Sequence, residues 1–312
     1  MAHEREDTGE LLQKTLHTVI DELSSRESYG PVYHRGVMDE PMPSVEILME
    51  MVTYLRSVLF PGFFVHTDIR PGSLRYYLGS TLDRVSHVLI EQIQRGYCFS
   101  CEKETDCKEC FREARRVTGE FIKRLPALRA MLADDARAAY LGDPAARSVG
   151  ETIFCYPSVH VMTNHRIAHE LYQLDVPLIP RIIAERAHSE TGIDIHPGAT
   201  IGSCFFIDHG TGTVIGETCE IGDNVRIYQG VTLGAKSFPL DENGNPVKGI
   251  KRHPVVEDDV IIYSGATILG NVRIGKGAVI GGNLWITGDI PPGMRVIQQR
   301  PEESHVRDGL GI

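Results

Sequence analysis

Between Ile195 and Trp285 an aliphatic residue returns every six positions. One run reads Ile195, Ile201, Ile207, a second Ile215, Ile221, Ile227, Leu233, and a third Val256, Ile262, Ile268, Ile274, Ile280, Ile286. Four residues after most of these comes a second small or apolar residue: Ala199, Phe205, Cys219, Val225, Val231, Val260, Ala266, Val272 and Ala278. Neither a helix nor a flat strand has a period of six. A chain that turns at every sixth residue does, with the aliphatic side chain pointing inward and three sides closing one coil of a prism. Residues 191–292 are therefore predicted to form a parallel β-helix of the hexapeptide type. Glycines that follow the aliphatic position, Gly202, Gly216, Gly222, Gly234 and Gly275, are expected at corners with an unusual backbone conformation.

Residues 1–190 lack this period and read as helices. Leu11, Leu12, Leu16, Val19, Ile20 and Leu23 share a helical stripe, and further stripes cover 45–59, 74–93, 111–132 and 165–174. Such helices must bury a face against each other or against another subunit. The rhythm changes at Thr191-Gly192, the expected domain boundary. The predicted class is α+β, an α-helical amino-terminal domain followed by the β-helix. Inside the prism, 234–254 break the repeat with turn-forming residues and should leave it as an external loop. The last segment, 293–312, reads as a polar tail.

The chain of 312 residues is long enough for two structural units. With 42% hydrophobic and 24% charged residues it has an ordinary globular composition, and a net charge of −10 argues against nucleic acid or an anionic membrane as partner. The basic residues Lys236, Lys248, Lys251, Arg252, Arg273 and Lys276 crowd one stretch of the repeat, where an anionic ligand is a candidate. The acidic start lacks a secretory layout, so a cytoplasmic protein is expected. Seven cysteines then fit reduced thiols or a metal site better than a disulfide framework.

Asp208-His209-Gly210 interrupts the repeat with a charged pair just after Ile207, and Asp194 lies fifteen residues earlier. With about eighteen residues per coil, that spacing puts Asp194 and His209 on neighbouring levels one side apart. A carboxylate beside an imidazole fixes its tautomer and stabilises its protonated form, as a general base acting on a hydroxyl requires. The plain alternative is a pair of solvated corner residues. Arg252-His253 closes the external loop, and its guanidinium fork suits a carboxylate or phosphate, although a solvated loop charge is the commoner fate. Asp143, in Gly142-Asp143-Pro144, is equally open to a turn-capping role.

Taken in order, Asp194-Ile195-His196-Pro197-Gly198-Ala199, Ile207-Asp208-His209 with Thr211-Gly212, Gly216-Glu217-Thr218, Gly230-Val231-Thr232-Leu233-Gly234 and Arg252-His253-Pro254 resemble the serine O-acetyltransferase family. The similarity extends upstream through Asp143-Pro144-Ala145 and His165-Arg166-Ile167-Ala168-His169. It implies a left-handed β-helix, acetyl-CoA as co-substrate, L-serine as acceptor and a place in cysteine biosynthesis. It further implies that His209 is the base oriented by Asp194, that Arg252 and His253 hold the substrate carboxylate, and that Asp143 and Asp208 attract its ammonium. Glu217 would support that site. Small residues Gly234, Ala235, Ser264, Gly265, Gly281 and Gly282 would line the CoA track between subunits, with Lys236, Arg273 or Lys276 near its phosphates. A trimer or dimer of trimers is expected, with feedback inhibition by cysteine. The sequence departs from the family in its longer external loop and in Met294-Arg295-Val296-Ile297-Gln298-Gln299 at the end of the prism, so contacts at that edge do not carry over.

The terminal Asp308-Gly309-Leu310-Gly311-Ile312 resembles the tail by which family members enter the active site of O-acetylserine sulfhydrylase, or cysteine synthase. Cys98-x-x-Cys101 and Cys107-x-x-Cys110 form a second unusual feature. Four thiolates so spaced can hold Zn²⁺ or an iron–sulfur cluster, or act as a redox dithiol pair. The rival functions are acetylation of another hydroxyl, on homoserine or a sugar, and a non-catalytic regulatory scaffold of cysteine synthase.

Overall fold

The computed structural model describes residues 2–33, 41–65, 68–100 and 107–298, with backbone alone for 2–10 and 107. Eight helices come first among these residues: α1 (Ala2–Ser24), α2 (Arg26–Tyr29), α3 (Val45–Leu59), α4 (Pro71–Ser100), α5 (Cys107–Gly142), α6 (Val149–Cys155), α7 (Pro157–Tyr172) and α8 (Ile179–Thr191). Their ends follow local chemistry. Ser44 and Ser148 accept the N–H of Ile47 and Glu151 at the starts of α3 and α6, and Pro157 opens α7, where no N–H is needed. Gly192, in the left-handed conformation at φ 70°, stops α8 where the six-residue period begins. No described helix is long and apolar enough to cross a membrane.

The stripes of α3, α4, α5 and α7 interlock through Leu48, Leu55, Leu89, Ile93, Phe121, Leu132, Ile167 and Leu171, all buried. The α1 stripe behaves differently. Leu11, Leu12, Leu16, Val19, Ile20 and Leu23 are all exposed, so of the two burials expected for such a face, against other helices or against another subunit, the first is not made among the described residues.

Fourteen short strands then wind into three parallel sheets. One side stacks β1 (Asp194–Ile195), β4 (Val214–Ile215), β7 (Thr232–Gly234), β10 (Thr267–Leu269) and β13 (Trp285–Ile286). The second stacks β2 (Thr200–Ile201), β5 (Glu220–Ile221), β8 (Val255–Val256) and β11 (Arg273–Ile274). The third stacks β3 (Phe206–Asp208), β6 (Arg226–Tyr228), β9 (Ile261–Ile262), β12 (Val279–Ile280) and β14 (Arg295–Val296). Aliphatic positions stack directly on one another, as Ile207 on Ile227 on Ile262, and fill the prism.

The coils are unequal, and the inequality matters. Val214 pairs with Thr232, an 18-residue coil, but Asp194 pairs with Val214, a coil of 20. The two extra residues lie between β3 and β4, at the Asp208–Gly212 corner. A longer excursion between β7 and β8 takes Thr232 to Thr267 and contains a small hairpin, bridged at Leu240 and Pro246.

The glycine expectation is corrected. Gly202, Gly216, Gly222, Gly234 and Gly275 have no left-handed backbone. They are small because the neighbouring coil or loop leaves no room: a Cβ on Gly216 would sit 2.1 Å from the His253 ring, and one on Gly202 2.5 Å from Asp223. Left-handed corners are taken instead by Cys204, His209, Asn224, Asp259 and Asn283, besides other glycines.

One buried ion pair ties the helices to the first coil. Arg166 of α7 donates to both Asp135 oxygens at 2.7 and 2.9 Å, and to the carbonyls of Ile201 and Gly202. Asp135 also accepts the Phe205 N–H at 3.1 Å. Close by, α5 lands on the third sheet through Gly142, where a Cβ would be 2.7 Å from Phe206. Arg226 donates to the Gly142 carbonyl at 3.2 Å. This landing brings Asp143 to the corner that carries Asp208 and His209.

Candidate active site

The 20-residue coil turns His209 outward. Its φ of 58° is left-handed, tolerable for histidine but uncommon. Gly210 follows at φ 87° and lies against Ile193, whose Cδ1 a Cβ there would meet at 2.4 Å. The ring is 74% exposed, so it faces the outside of the prism rather than the packed interior.

Around it the structure gathers an acidic corner. His209 Nε2 lies 3.7 Å from Asp208 Oδ1. Asp143 accepts the Ala145 N–H at 2.8 Å and the Tyr156 hydroxyl at 2.5 Å. Those two bonds hold the Asp143 carboxyl below the ordinary carboxylate range, with the His209 charge acting the same way. The same bond, with burial and the Asp143 charge, pushes the Tyr156 phenol up to about 12. Tyr156 is a member of this corner that the sequence reading missed. The expected Asp194–His209 hydrogen bond is not formed among the described residues. The left-handed turn swings the ring out beside Asp208, while Asp194 stays in β1 and its N–H donates to the Thr213 carbonyl.

Arg252 and His253 occupy a different corner of the same chain, next to the β4–β5 turn. Arg252 Nη2 donates to Glu217 Oε2 at 2.5 Å, and Tyr172 donates to the other Glu217 oxygen at 3.2 Å. Burial raises the Glu217 carboxyl, but Arg252, His196 and Tyr172 outweigh it and its pKa is lowered. Thr218 holds the Arg252 and His253 N–H groups through its hydroxyl, and its own N–H donates to His253 Nδ1 at 3.1 Å. Burial and the neighbouring Arg252 charge push His253 down. His196 packs edge-on to Tyr172 and accepts the Gly198 N–H. Burial first, then Arg181, drives its pKa down to about 4. Tyr172 was not singled out from sequence, and His196 and Thr218 entered only as members of the motifs that carry the family resemblance, with no role of their own.

The basic stretch of the repeat is largely neutralised by acids that the coil register places beside it. Lys251 pairs with Glu220, Arg252 with Glu217, Arg273 with Glu257, and Lys276 with Asp258 and Asp259. Arg273 and Lys276 are therefore each paired with carboxylates in this chain. Ser264-Gly265 and Gly281-Gly282 stack on successive coils, with a Cβ on Gly282 at 3.0 Å from the Ser264 carbonyl. Gly234-Ala235 lies at another corner, after β7. Of the four-cysteine motif, Cys98 is buried near the end of α4 and Cys110 half-buried near the start of α5. Cys101 and the Cys107 side chain lie outside the described residues, as does the tail ending at Ile312. Among the described residues no group of three or more His, Cys, Asp or Glu is placed to hold a metal ion.

A family described as Bacterial transferase hexapeptide (six repeats) matches residues 253–288. A plasmid serine acetyltransferase of Synechococcus elongatus is 48% identical over 303 residues, which is 95% of either chain. The chain belongs to the serine acetyltransferase family. Solved family structures agree in fold. Isoform 3 of the serine acetyltransferase of Entamoeba histolytica, in complex with cysteine, is 33% identical with a TM-score of 0.70 over 96% of both chains. Serine acetyltransferase 1 of the same organism, in complex with L-cysteine, is 36% identical with a TM-score of 0.69 over 82% of this chain and 87% of that one.

The lowered histidines predict an acid-sensitive fold. An unfolded imidazole binds a proton near 6.5, whereas folded His196 binds one only near 4. Between those values the unfolded chain holds more protons, so this stability is complete above about pH 6.5 and is lost as pH falls toward 4. His160, His165 and His253, also lowered by burial, act in the same direction. The thermal midpoint should therefore drop between pH 7 and 5, and His196→Asn, whose amide oxygen can accept the Gly198 N–H, should flatten the slope. A midpoint that is level or rises on acidification contradicts this.

Proposed function

We propose that the chain is a cytoplasmic serine O-acetyltransferase, moving acetyl from acetyl-CoA to the L-serine hydroxyl to give O-acetylserine for cysteine biosynthesis. The observation that carries this is the outward corner of Asp143, Tyr156, Asp208 and His209 on a scaffold of the serine acetyltransferase family. His209 takes the serine hydroxyl proton as the oxygen attacks the thioester carbonyl. The tetrahedral intermediate collapses, the carbon–sulfur bond breaks, and the leaving thiolate recovers the proton from His209. No acyl-enzyme forms. Asp208 supplies standing negative charge beside the ring. Asp194 begins the strand against which this corner packs, and holds the other ring nitrogen once substrate fixes the imidazole.

A serine zwitterion needs an anionic clamp for its ammonium and a cationic one for its carboxylate. Asp143 and Asp208 provide the first, Arg252 and His253 the second, with Glu217 holding the guanidinium in place. The two groups stand at different corners of one prism, which supports an oligomer, a trimer or dimer of trimers, whose neighbouring copies complete each site. The separation of Gly234-Ala235 from Ser264-Gly265 and Gly281-Gly282 supports the same location for CoA, with Lys236 the basic residue there to meet its phosphates.

Thiol release from acetyl-CoA should require L-serine, with mass measurement showing the acetylated product. His209→Ala should lower kcat by about 10²–10⁴-fold. Transfer to a sugar or homoserine without transfer to serine, or wild-type turnover in the His209 variant, contradicts the proposal.

The same reading extends to two features that lie partly or wholly outside the described residues. Cys98, Cys101, Cys107 and Cys110 hold a structural Zn²⁺ or iron–sulfur cluster where α4 hands over to α5, and Ile312 engages O-acetylserine sulfhydrylase. Protein purified without oxygen should carry stoichiometric metal that Cys101→Ser loses, and deletion of Ile312 should abolish sulfhydrylase binding. Metal-free wild-type protein, or unchanged binding, defeats the respective claim.

A further inference from the structure

The outward face of the third sheet carries a row of side chains that begins at the reacting corner. Asp208 of β3 is in register with Tyr228 of β6. The pairing of β6 with β9 continues the row to Tyr263, and that of β9 with β12 to Gly281. The residues before them, Ile207, Ile227, Ile262 and Ile280, point into the prism and are buried. Alternation therefore puts both tyrosines outside. Their rings stack with centroids 5.1 Å apart and planes 9° from parallel. Tyr263 remains 40% exposed, so the stack presents aromatic surface to whatever occupies this face.

Its position gives that surface a use. Neighbouring strands are about 4.8 Å apart, so Tyr228 stands one step and Tyr263 two steps, roughly 10 Å, along the prism axis from Asp208. Tyr263 adjoins Ser264-Gly265, and Gly281-Gly282 stacks next to them. The aromatic wall thus bridges the acid–base corner and the small-residue track. A ligand that runs along it must be narrow and extended, with methyl or methylene groups for the ring surfaces and amides for the phenol hydroxyls. The pantetheine arm of an acyl-CoA has this chemistry. Neither the hexapeptide period nor the corner glycines require aromatic residues at 228 and 263.

We infer that Tyr228 and Tyr263 form a binding wall for the thioester arm, setting the acyl carbonyl beside His209. The inference rests on the proposed acetyl transfer and adds the residues that select and align the donor. Affinity for CoA, measured by titration calorimetry, should fall about tenfold in Tyr263→Ala and in Tyr228→Ala. KM for acetyl-CoA should rise in parallel, while KM for L-serine and the thermal midpoint stay near wild type. Tyr263→Phe, which keeps the stack, should restore most of the affinity.

Wild-type CoA affinity in both alanine variants overturns the inference and leaves acetyl transfer standing. So does a loss that appears equally for L-serine, since that reports a loosened coil rather than a lost donor contact. Wild-type protein that binds no CoA at all defeats the acetyl-transfer reading itself.

Discussion

Arg166 and Asp135, with 4% and 2% of their side chains exposed, hold the first coil of the prism to the helical domain. Burial pushes the Asp135 carboxyl up, opposed by the Arg166 charge and its two hydrogen bonds. Breaking such a pair by removing one partner costs about 3–5 kcal/mol, because the other charge is left buried alone. The pair also fixes position. Arg166 grips the Ile201 and Gly202 carbonyls and Asp135 the Phe205 N–H, so the turn leading into β3 has one place relative to α5 and α7. From that turn the chain reaches Asp208 and His209 within a few residues, and from the same helix α5 it reaches Asp143. The two halves of the acidic corner are brought together by a bond that takes no part in the chemistry.

The prism supplies the second constraint. A strict 18-residue coil has short, uniform corners with no room to project a functional side chain. The 20-residue first coil breaks that uniformity at one place, and the left-handed His209 there turns its ring to the outside. Such a conformation is strained for a residue other than glycine, and the surrounding coil must hold it. Stacking then organises the remaining charge. Residues far apart in sequence, such as Glu217 and Arg252, become neighbours across the corner, so the basic loop returns to the prism already oriented. What one chain keeps on separate corners a symmetric assembly can bring together.

Much of this was legible because the β-helix is a repetitive solution with a repetitive signature. The inward aliphatic row, the change of rhythm near Gly192, the external loop and the irregularity at Asp208-His209 all follow from counting sixes. What escaped was set by contacts between coils rather than along them. Gly216 reads as a corner glycine, and only stacking reveals His253 against it. The lysine and arginine run reads as an anion site, and only register reveals the carboxylates beside it. The α1 stripe obeys the helical period as well as that of α3, yet finds no cover among the described residues. Asp135 and Arg166 lie in ordinary helical segments, and Tyr156 and Tyr172 near helix ends, where spacing says nothing of what they touch.

The central claim is that one exposed imidazole, lifted out of the repeat at the long corner, performs the proton transfer. Acylation with diethyl pyrocarbonate, mapped residue by residue by mass spectrometry while acetyl transfer is followed, tests it most directly. Loss of activity should track modification of His209, slow when L-serine and CoA are present, and reverse with hydroxylamine. Full activity in protein whose His209 is completely modified, or inactivation while His209 is intact, would contradict the account.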